Sequence, residues 1–236
     1  MTIQYKRLSS TALFCTVTLM FFAVQFALNN KSDLLKMPLP TNILTGVGVG
    51  ITSIGTYQLL TKALLFLFGK SIWLRRKVLG KAYIEGTWVG FYKHGNLNRF
   101  TIEFIDQSGE ETIVHGREFD ENNNSRGSWK SALVSVDGVK RCLTYSYTCR
   151  MNQVKSPHEG LAYFEMLVPK PGSYPYILEG HSADLTDGDR DPNKEYKISE
   201  TETSDDYALR WTHEIFVLGK VPTDYPRPEP KAEQSA

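Results

Sequence analysis

Two long apolar stretches open the chain, and an alternation of apolar and polar residues follows them. The first stretch covers residues 11–28 without a charge, and the second covers residues 43–68 with Lys62 as its one charge. An apolar helix of about 20 residues can cross the hydrocarbon core of a bilayer. The pattern therefore predicts two N-terminal transmembrane α-helices. A cleaved signal peptide is the alternative for the first stretch, but its apolar run exceeds the usual length of about 7–15 residues.

From Ile84 onward the apolar residues recur at every second position, as in Phe100, Ile102 and Phe104, which is typical of strands with one buried face. Eight antiparallel strands in chain order favour a closed barrel over a sandwich. The sequence therefore predicts an all-β domain that forms a compact antiparallel β-barrel of about eight strands. The predicted strands are 84–92, 98–106, 111–119, 128–137, 140–150, 159–168, 175–184 and 194–202, with 207–217 as a further candidate and no helix after the membrane region.

These patterns divide the chain into three parts. Residues 1–83 form a membrane hairpin with a basic juxtamembrane segment, residues 84–220 form the β-barrel, and the Pro-rich residues 221–236 form a disordered tail. Basic residues flank the outer ends of both spans, which indicates that both termini and the barrel are cytoplasmic. The cysteines at positions 15, 142 and 149 form no disulfide framework, and this suits a reducing compartment.

Charge and motifs exclude several classes of function. The net charge is +1, whereas proteins that bind DNA or RNA are usually strongly basic. The five histidines are dispersed without metal-ligand spacing, and no nucleophile or phosphate-loop motif occurs. The acidic segment 184–191 lacks the glutamate of a calcium loop, because Ile198 occupies that position. We therefore expect no enzymatic activity, no metal and no cofactor.

Aromatic and arginine side chains on the predicted strands are the candidate binding residues. Aromatic rings stack on nucleobases, and guanidinium groups pair with phosphate oxygens. Arg150 lies on the opposite face of its predicted strand from Tyr145 and Tyr147, so the whole set cannot point inward. Burial of the aromatic rings as barrel core is the open alternative. The candidates are Trp88, Tyr92, Arg117, Trp129, Arg141, Tyr145, Tyr147 and Arg150.

The second apolar stretch contains candidates for helix association. Gly46 and Gly50 form a G-x-x-x-G pair, which allows close approach of helices in lipid. The pair serves either self-association between copies or packing against the first helix of the same chain. Lys62 either reaches the membrane interface or lines a pore formed by several copies.

The two spans, the basic segment, the sequence EGTWVGFY and an eight-strand run with YSYTCR and YILEGHSAD together resemble one family. These are the CD-NTase-associated membrane effectors of bacterial cyclic-oligonucleotide anti-phage signalling (CBASS). The resemblance extends to about residue 217. It implies that a cytosolic β-barrel binds a cyclic dinucleotide from a partner nucleotidyltransferase. Binding then drives oligomerisation of the transmembrane helices, disruption of the inner membrane and abortive infection.

Two other functions remain open from the sequence. A membrane-tethered, lipocalin-like carrier of an apolar ligand predicts a continuous apolar cavity with few arginines. A non-catalytic membrane scaffold predicts no cavity. A nucleotide sensor predicts arginines that reach the ligand, and binding that weakens as the salt concentration rises.

Overall fold

A computed structural model describes residues 3–29, 39–109, 111–152, 156–168, 173–185, 188 and 190–221, with the side chains of residues 3–8, 24–29, 39–52 and 94 outside this description. The chain forms two compact units, Met1–Val78 and Leu79–Ala236. The sequence places this boundary at residue 83, a few residues later. The predicted disordered tail lies outside the described residues from position 222 onward.

The first unit contains two long helices at the positions of the predicted spans. Helix α1 covers Ile3–Asn29 and helix α2 covers Leu39–Lys70, and the two helices pack against each other. Within the described residues, no helix is both long enough and apolar enough to cross a membrane. Residues 24–28 and 43–52 of the predicted spans, which include Gly46 and Gly50, lie outside the residues whose side chains are described. The membrane-spanning role of the helices stays a prediction.

The basic segment after α2 caps that helix. Nη1 of the buried Arg75 donates hydrogen bonds to the carbonyl oxygens of Phe68 and Gly69, both at 2.9 Å. The last carbonyl groups of a helix have no partner within the helix, so a cation here satisfies them. A short helix α3, Ile72–Leu79, follows directly, and its first turn is closed by the Ser71 hydroxyl, which accepts from the Leu74 amide.

The second unit is a closed barrel of eight antiparallel strands in chain order, with β1 paired to β8. The predicted β-barrel is therefore confirmed, and each predicted strand from 84–92 to 194–202 overlaps one observed strand. The strands are β1 Gly86–His94, β2 Leu97–Asp106, β3 Ile113–Phe119, β4 Ser125–Asp137, β5 Cys142–Met151, β6 His158–Leu167, β7 Ile177–Asp184 and β8 Arg190–Ser199.

One end of the barrel interior is filled by apolar side chains. Trp88 is fully buried there, and its Nε1 donates to the carbonyl oxygen of Ile84 at 2.9 Å. Gln107 holds the incoming chain over this end, because its Oε1 accepts from the amides of Ile84 and Glu85. This end therefore offers no room for a ligand. The fully buried side chains packed here include Ile84, Trp88, Ile105, Val114, Leu143, Phe164 and Leu178.

A helix packs on the outside of the barrel near its C-terminal end. The sequence predicts no helix after the membrane region, and it gives 207–217 as a candidate strand. Helix α4 covers Asp205–Thr212 and continues as a π-helical turn, His213–Val217. Ser204 caps it by accepting from the Tyr207 amide, and two aspartates occupy its first turn, where the helix dipole favours negative charge. The strand candidate 207–217 is therefore wrong. Its apolar residues follow a helical period and cover the outer face of β1, β2 and β8.

Strand β2 is buried on both faces, whereas its alternation predicts one buried face. Phe100 and Ile102 pack in the external cluster with Tyr207 of α4. Their polar neighbours Thr101 and Glu103 face the interior instead. Both faces of the strand are buried, so the apolar face is not the inner one.

Candidate ligand site in the barrel lumen

Two adjoining cavities occupy the other end of the barrel interior. The deeper cavity has a volume of about 70 Å³ and the outer cavity has a volume of about 250 Å³. A buried water needs only about 10–15 Å³, so even the deeper cavity exceeds one water. The outer cavity reaches solvent, because the side chains of His158 and Asp184 in its wall are 28% and 33% exposed. The residues that line both cavities are Tyr92, Glu118, Tyr147, Cys149 and Ser182.

Glycines on neighbouring strands give the aromatic rings of the lumen their position. Trp129 on β4 pairs with Gly116 on β3, and a Cβ at Gly116 would lie 2.4 Å from Trp129 Cζ2. Tyr147 on β5 pairs with Gly160 on β6, and a Cβ there would lie 2.3 Å from the ring. Real Cβ atoms do not approach other atoms so closely. Both rings therefore lie against the barrel wall, which leaves the centre of the lumen open.

A pair of buried carboxyl groups lies below these rings. Tyr145 Oη donates to Glu103 Oε1 at 2.7 Å, and Asn193 Nδ2 donates to Glu195 Oε1 at 2.8 Å. Burial raises the pKa of Glu103 to about 7, although hydrogen bonds from Tyr145, Glu195 and Trp129 oppose the shift. Burial, followed by the charge of Glu103, raises the pKa of Glu195 well above its ordinary value. Two adjacent buried carboxylates cannot both ionise readily, so the pair holds a proton near neutral pH.

Four buried oxygen atoms around this pair have no hydrogen-bond partner among the described residues. They are Thr101 Oγ1, Glu103 Oε2, Asn193 Oδ1 and Glu195 Oε2. A proton shared between the two carboxyl groups accounts for the glutamate oxygens. Thr101 Oγ1 and Asn193 Oδ1 are then the atoms that remain for a ligand. Both residues line the deeper cavity. We call the group Gly90, Thr101, Glu103 and Asn193 the lumen floor.

The mouth of the lumen carries more carboxylates than basic groups. Arg99 Nε pairs with Glu118 Oε1 at 2.8 Å, and His158 Nδ1 lies 3.6 Å from Asp184 Oδ2, with Asp191 beside them. The tyrosine and cysteine side chains just inside the mouth stay neutral at physiological pH. Burial raises the pKa of Tyr147 to about 12 and that of the Cys149 thiol to about 11, and burial together with Glu118 raises the pKa of Tyr92.

The structure brings half of the predicted site residues together. Tyr92, Trp129, Tyr145 and Tyr147 line the deeper cavity. Trp88 belongs to the apolar end of the barrel.

The three predicted arginines are not part of this lumen. Arg117 points outward and pairs with Asp205 of α4. Arg141 lies in the turn before β5 with a positive φ of 56°, rather than on the strand. Arg150 is exposed on β5, next to the inward-facing Cys149. Lys62 of the predicted helix interface is also exposed.

Sequence reasoning missed the polar residues of the lumen. Thr101, Glu103, Asn193 and Glu195 occupy alternate positions on β2 and β8, a signal that is also typical of a solvated strand face. Their burial could be inferred only with the knowledge that α4 covers the opposite face. Among the described residues, no group of histidine, cysteine and acidic side chains could hold a metal ion.

Comparisons of the chain with protein-family models, with curated proteins and with solved structures gave no match. A function for this chain must therefore be inferred from the lumen itself.

Proposed function

We propose that this chain is a membrane effector of cyclic-oligonucleotide anti-phage signalling, in which the barrel lumen binds a cyclic dinucleotide. Ligand binding promotes self-association of the helical unit, which disrupts the bacterial inner membrane and causes abortive infection. The observation that carries the proposal is an open lumen with aromatic walls and with buried hydrogen-bonding atoms left without partners. An eight-stranded barrel has room for one small ligand of this kind.

The walls and floor of the lumen suit a nucleobase. Trp129, Tyr145 and Tyr147 present aromatic surfaces, and stacking on such rings stabilises a bound base by about 1–3 kcal/mol. The edges of bases carry N–H groups, which can donate hydrogen bonds to Thr101 Oγ1 and Asn193 Oδ1. A base that enters from the mouth therefore finds both stacking partners and acceptors.

The charges of the lumen determine how a cyclic dinucleotide lies. Phosphates are unfavourable near Glu103 and Glu195, because these groups are buried acids. The basic groups of the mouth are Arg99 and His158, and each faces a carboxylate. The base therefore enters first, and the phosphates stay at the solvent-exposed mouth, where Arg99 exchanges Glu118 for a phosphate oxygen. The arginines at 117, 141 and 150 take no part in this arrangement.

The helical unit supports association with lipid. Many apolar side chains of this unit are exposed, and a large exposed apolar surface usually marks contact with a membrane or a partner. Trp73 on α3 is 67% exposed, and Lys77 Nζ lies 5.6 Å from its ring centroid, a combination typical of a membrane interface. The apolar side chains that are more than half exposed are Leu13, Phe14, Val17, Leu19, Phe21 and Phe22 on α1, and Ile54, Leu59, Phe66 and Leu67 on α2.

Membrane confinement explains how a single ligand could change the assembly. Copies held in one bilayer have a high effective concentration, so a modest preference for contact is amplified. A ligand shifts this equilibrium only if it binds the assembled form more tightly. Gly46 and Gly50 are our candidates for the helix contact, and Lys62 is our candidate for a pore-lining charge.

The alternatives fit the lumen less well. A carrier of an apolar ligand requires an apolar cavity, but Glu103, Thr101 and Asn193 place polar atoms on the floor. A scaffold with a filled barrel requires no cavity, but two adjoin here. A sensor of a polar, planar ligand accounts for both observations.

The full-length chain in dye-filled liposomes tests both halves of the proposal. We expect at least one cyclic dinucleotide from a panel of base combinations to release the dye, whereas the matched linear dinucleotide does not. Liposomes without protein control for lysis by the ligand. Absence of release across the panel, with the chain shown to be inserted in the liposomes, would contradict the proposal.

A further inference from the structure

The two atoms left for a ligand face the same point in the lumen. A Cβ built on Gly90 would lie 2.3 Å from Thr101 Oγ1 and 3.1 Å from Asn193 Oδ1. The side chains of both residues are more than nine-tenths buried, and neither atom has a hydrogen-bond partner among the described residues. Because Gly90 has no side chain, these two oxygens from different strands approach each other over its backbone, with no room for a Cβ between them.

The chemistry of these two oxygens selects the ligand group that can pair with them. The amide oxygen of Asn193 only accepts hydrogen bonds, and Asn193 Nδ2 is already engaged by Glu195. Glu103 adds no free acceptor, because its Oε1 accepts from Tyr145 and its Oε2 is accounted for by the proton shared with Glu195. A carbonyl or methyl group would leave Asn193 Oδ1 unpaired, and an unpaired buried acceptor opposes binding. A group with two N–H donors satisfies the site.

We infer that the lumen floor is a subsite for the exocyclic amino group of a nucleobase. The bases concerned are adenine, guanine and cytosine, and the excluded ones are those that present only carbonyl or methyl groups to the floor. The aromatic walls favour a flat ring over an alkyl amine. This inference rests on the proposed function, because it specifies which base of the cyclic dinucleotide enters the lumen.

The test compares ligands that differ in one amino group. Cyclic di-AMP is matched with its 6-methylpurine analogue, and cyclic di-GMP is matched with cyclic di-inosine monophosphate. Dissociation constants are measured by calorimetry on the full-length chain in detergent micelles. We expect the amino-bearing member of at least one pair to bind tenfold or more tightly than its partner.

Substitution of Thr101 tests whether the preference for the amino-bearing ligand arises at the lumen floor. Thr101→Val removes the hydroxyl with little change in shape, so we expect the preference to shrink at least threefold. Thr144→Val on the outward face of β5 is the matched control, and we expect it to keep the wild-type preference. Equal affinities within both pairs, with cyclic dinucleotides bound, would overturn the subsite and leave the proposed function standing.

Free nucleosides test the subsite independently of the proposed function. If no cyclic dinucleotide binds, the proposed function fails. Adenosine and 6-methylpurine riboside are then compared by the shift of the Trp129 indole resonance, assigned by substitution of that tryptophan. A shift with adenosine alone, reduced in Thr101→Val, supports the subsite independently. The same shift with both nucleosides, or no shift with either, overturns it.

Discussion

Tyr145 donates a hydrogen bond to Glu103 at 2.7 Å, and the bond crosses the barrel interior. Tyr145 lies on β5 and Glu103 lies on β2, and these strands are not neighbours in the sheet. The bond therefore ties opposite walls together at the depth where the apolar end meets the cavity. It fixes the position of the carboxyl group on which the lumen floor depends.

Loss of this bond should destabilise the barrel. Tyr145→Phe leaves Glu103 Oε1 without its donor, and an unsatisfied buried acceptor costs about 1–3 kcal/mol. We expect a matching decrease in the free energy of unfolding, measured by urea denaturation. Tyr163→Phe is the matched control, because Tyr163 is 41% exposed on the outer face of β6. Equal stability of the two variants would show that the cross-lumen bond contributes nothing.

The carboxyl pair should make the barrel less stable as the pH rises. The pKa of Glu103 is about 7 in the folded protein, against an ordinary value of 4.5 that applies to the unfolded chain, and the pKa of Glu195 is also raised. Between these values the unfolded chain loses protons that the folded chain keeps. The free energy of unfolding therefore falls, by up to about 1.4 kcal/mol per pH unit for each group.

Thermal unfolding between pH 4.5 and 7 measures this effect. Glu195→Gln removes one titrating group, so we expect a shallower decrease in melting temperature with pH. Glu179→Gln is the control, since Glu179 is exposed and paired with Lys194. Asp120 does not interfere: burial raises its pKa, but hydrogen bonds from Asn124 and Arg126 outweigh this and lower it to about 2. A slope that is the same in wild type and Glu195→Gln would contradict the shared-proton assignment.

A methyl group at Gly90 should displace the neighbouring side chains of the lumen floor. The added Cβ of Gly90→Ala would meet Thr101 Oγ1 at 2.3 Å and Glu195 Cγ at 2.8 Å. We expect ligand affinity to fall tenfold or more, and overpacking to cost about 1–3 kcal/mol of stability. Calorimetry and urea denaturation measure the two effects. Gly109→Ala is the control, because the nearest atom to its Cβ is 3.9 Å away. Unchanged binding by a folded Gly90→Ala would place the ligand elsewhere.

Arg117 should affect the external helix and not the ligand. Its side chain is 51% exposed and pairs with Asp205 in the first turn of α4, and exposed ion pairs contribute about 0–1 kcal/mol. We expect Arg117→Ala to change ligand affinity by less than twofold and to speed amide hydrogen exchange in α4. A tenfold loss of ligand affinity in Arg117→Ala would show that Arg117 contributes to ligand binding.

The sequence was sufficient for the barrel and insufficient for its inner face. Alternation of apolar residues and turn signals such as Asp137-Gly138 located all eight strands. The same alternation predicts one buried face on β2, whereas both faces are buried and Phe100 and Ile102 lie under α4. Since residues 205–217 were not recognised as helical, nothing in the sequence distinguished a buried polar face from a solvated one.

This error also explains the outcome for the candidate site. Large rings such as Trp129 and Tyr147 are conspicuous in a strand, and both line the lumen. Thr101 and Asn193 were missed because isolated polar residues on strands are usually exposed. The prediction for the arginines depends on their chemistry alone, and the strand register places Arg117 and Arg150 on the outer face.

Calorimetric titration of the full-length chain with cyclic dinucleotides of all base combinations tests the central claim most directly. We expect at least one amino-bearing compound to bind with one molecule per barrel and to bind more weakly as the salt concentration rises. We also expect Gly90→Ala to reduce this binding at least tenfold. Absence of binding to every compound by a correctly folded chain would contradict the account.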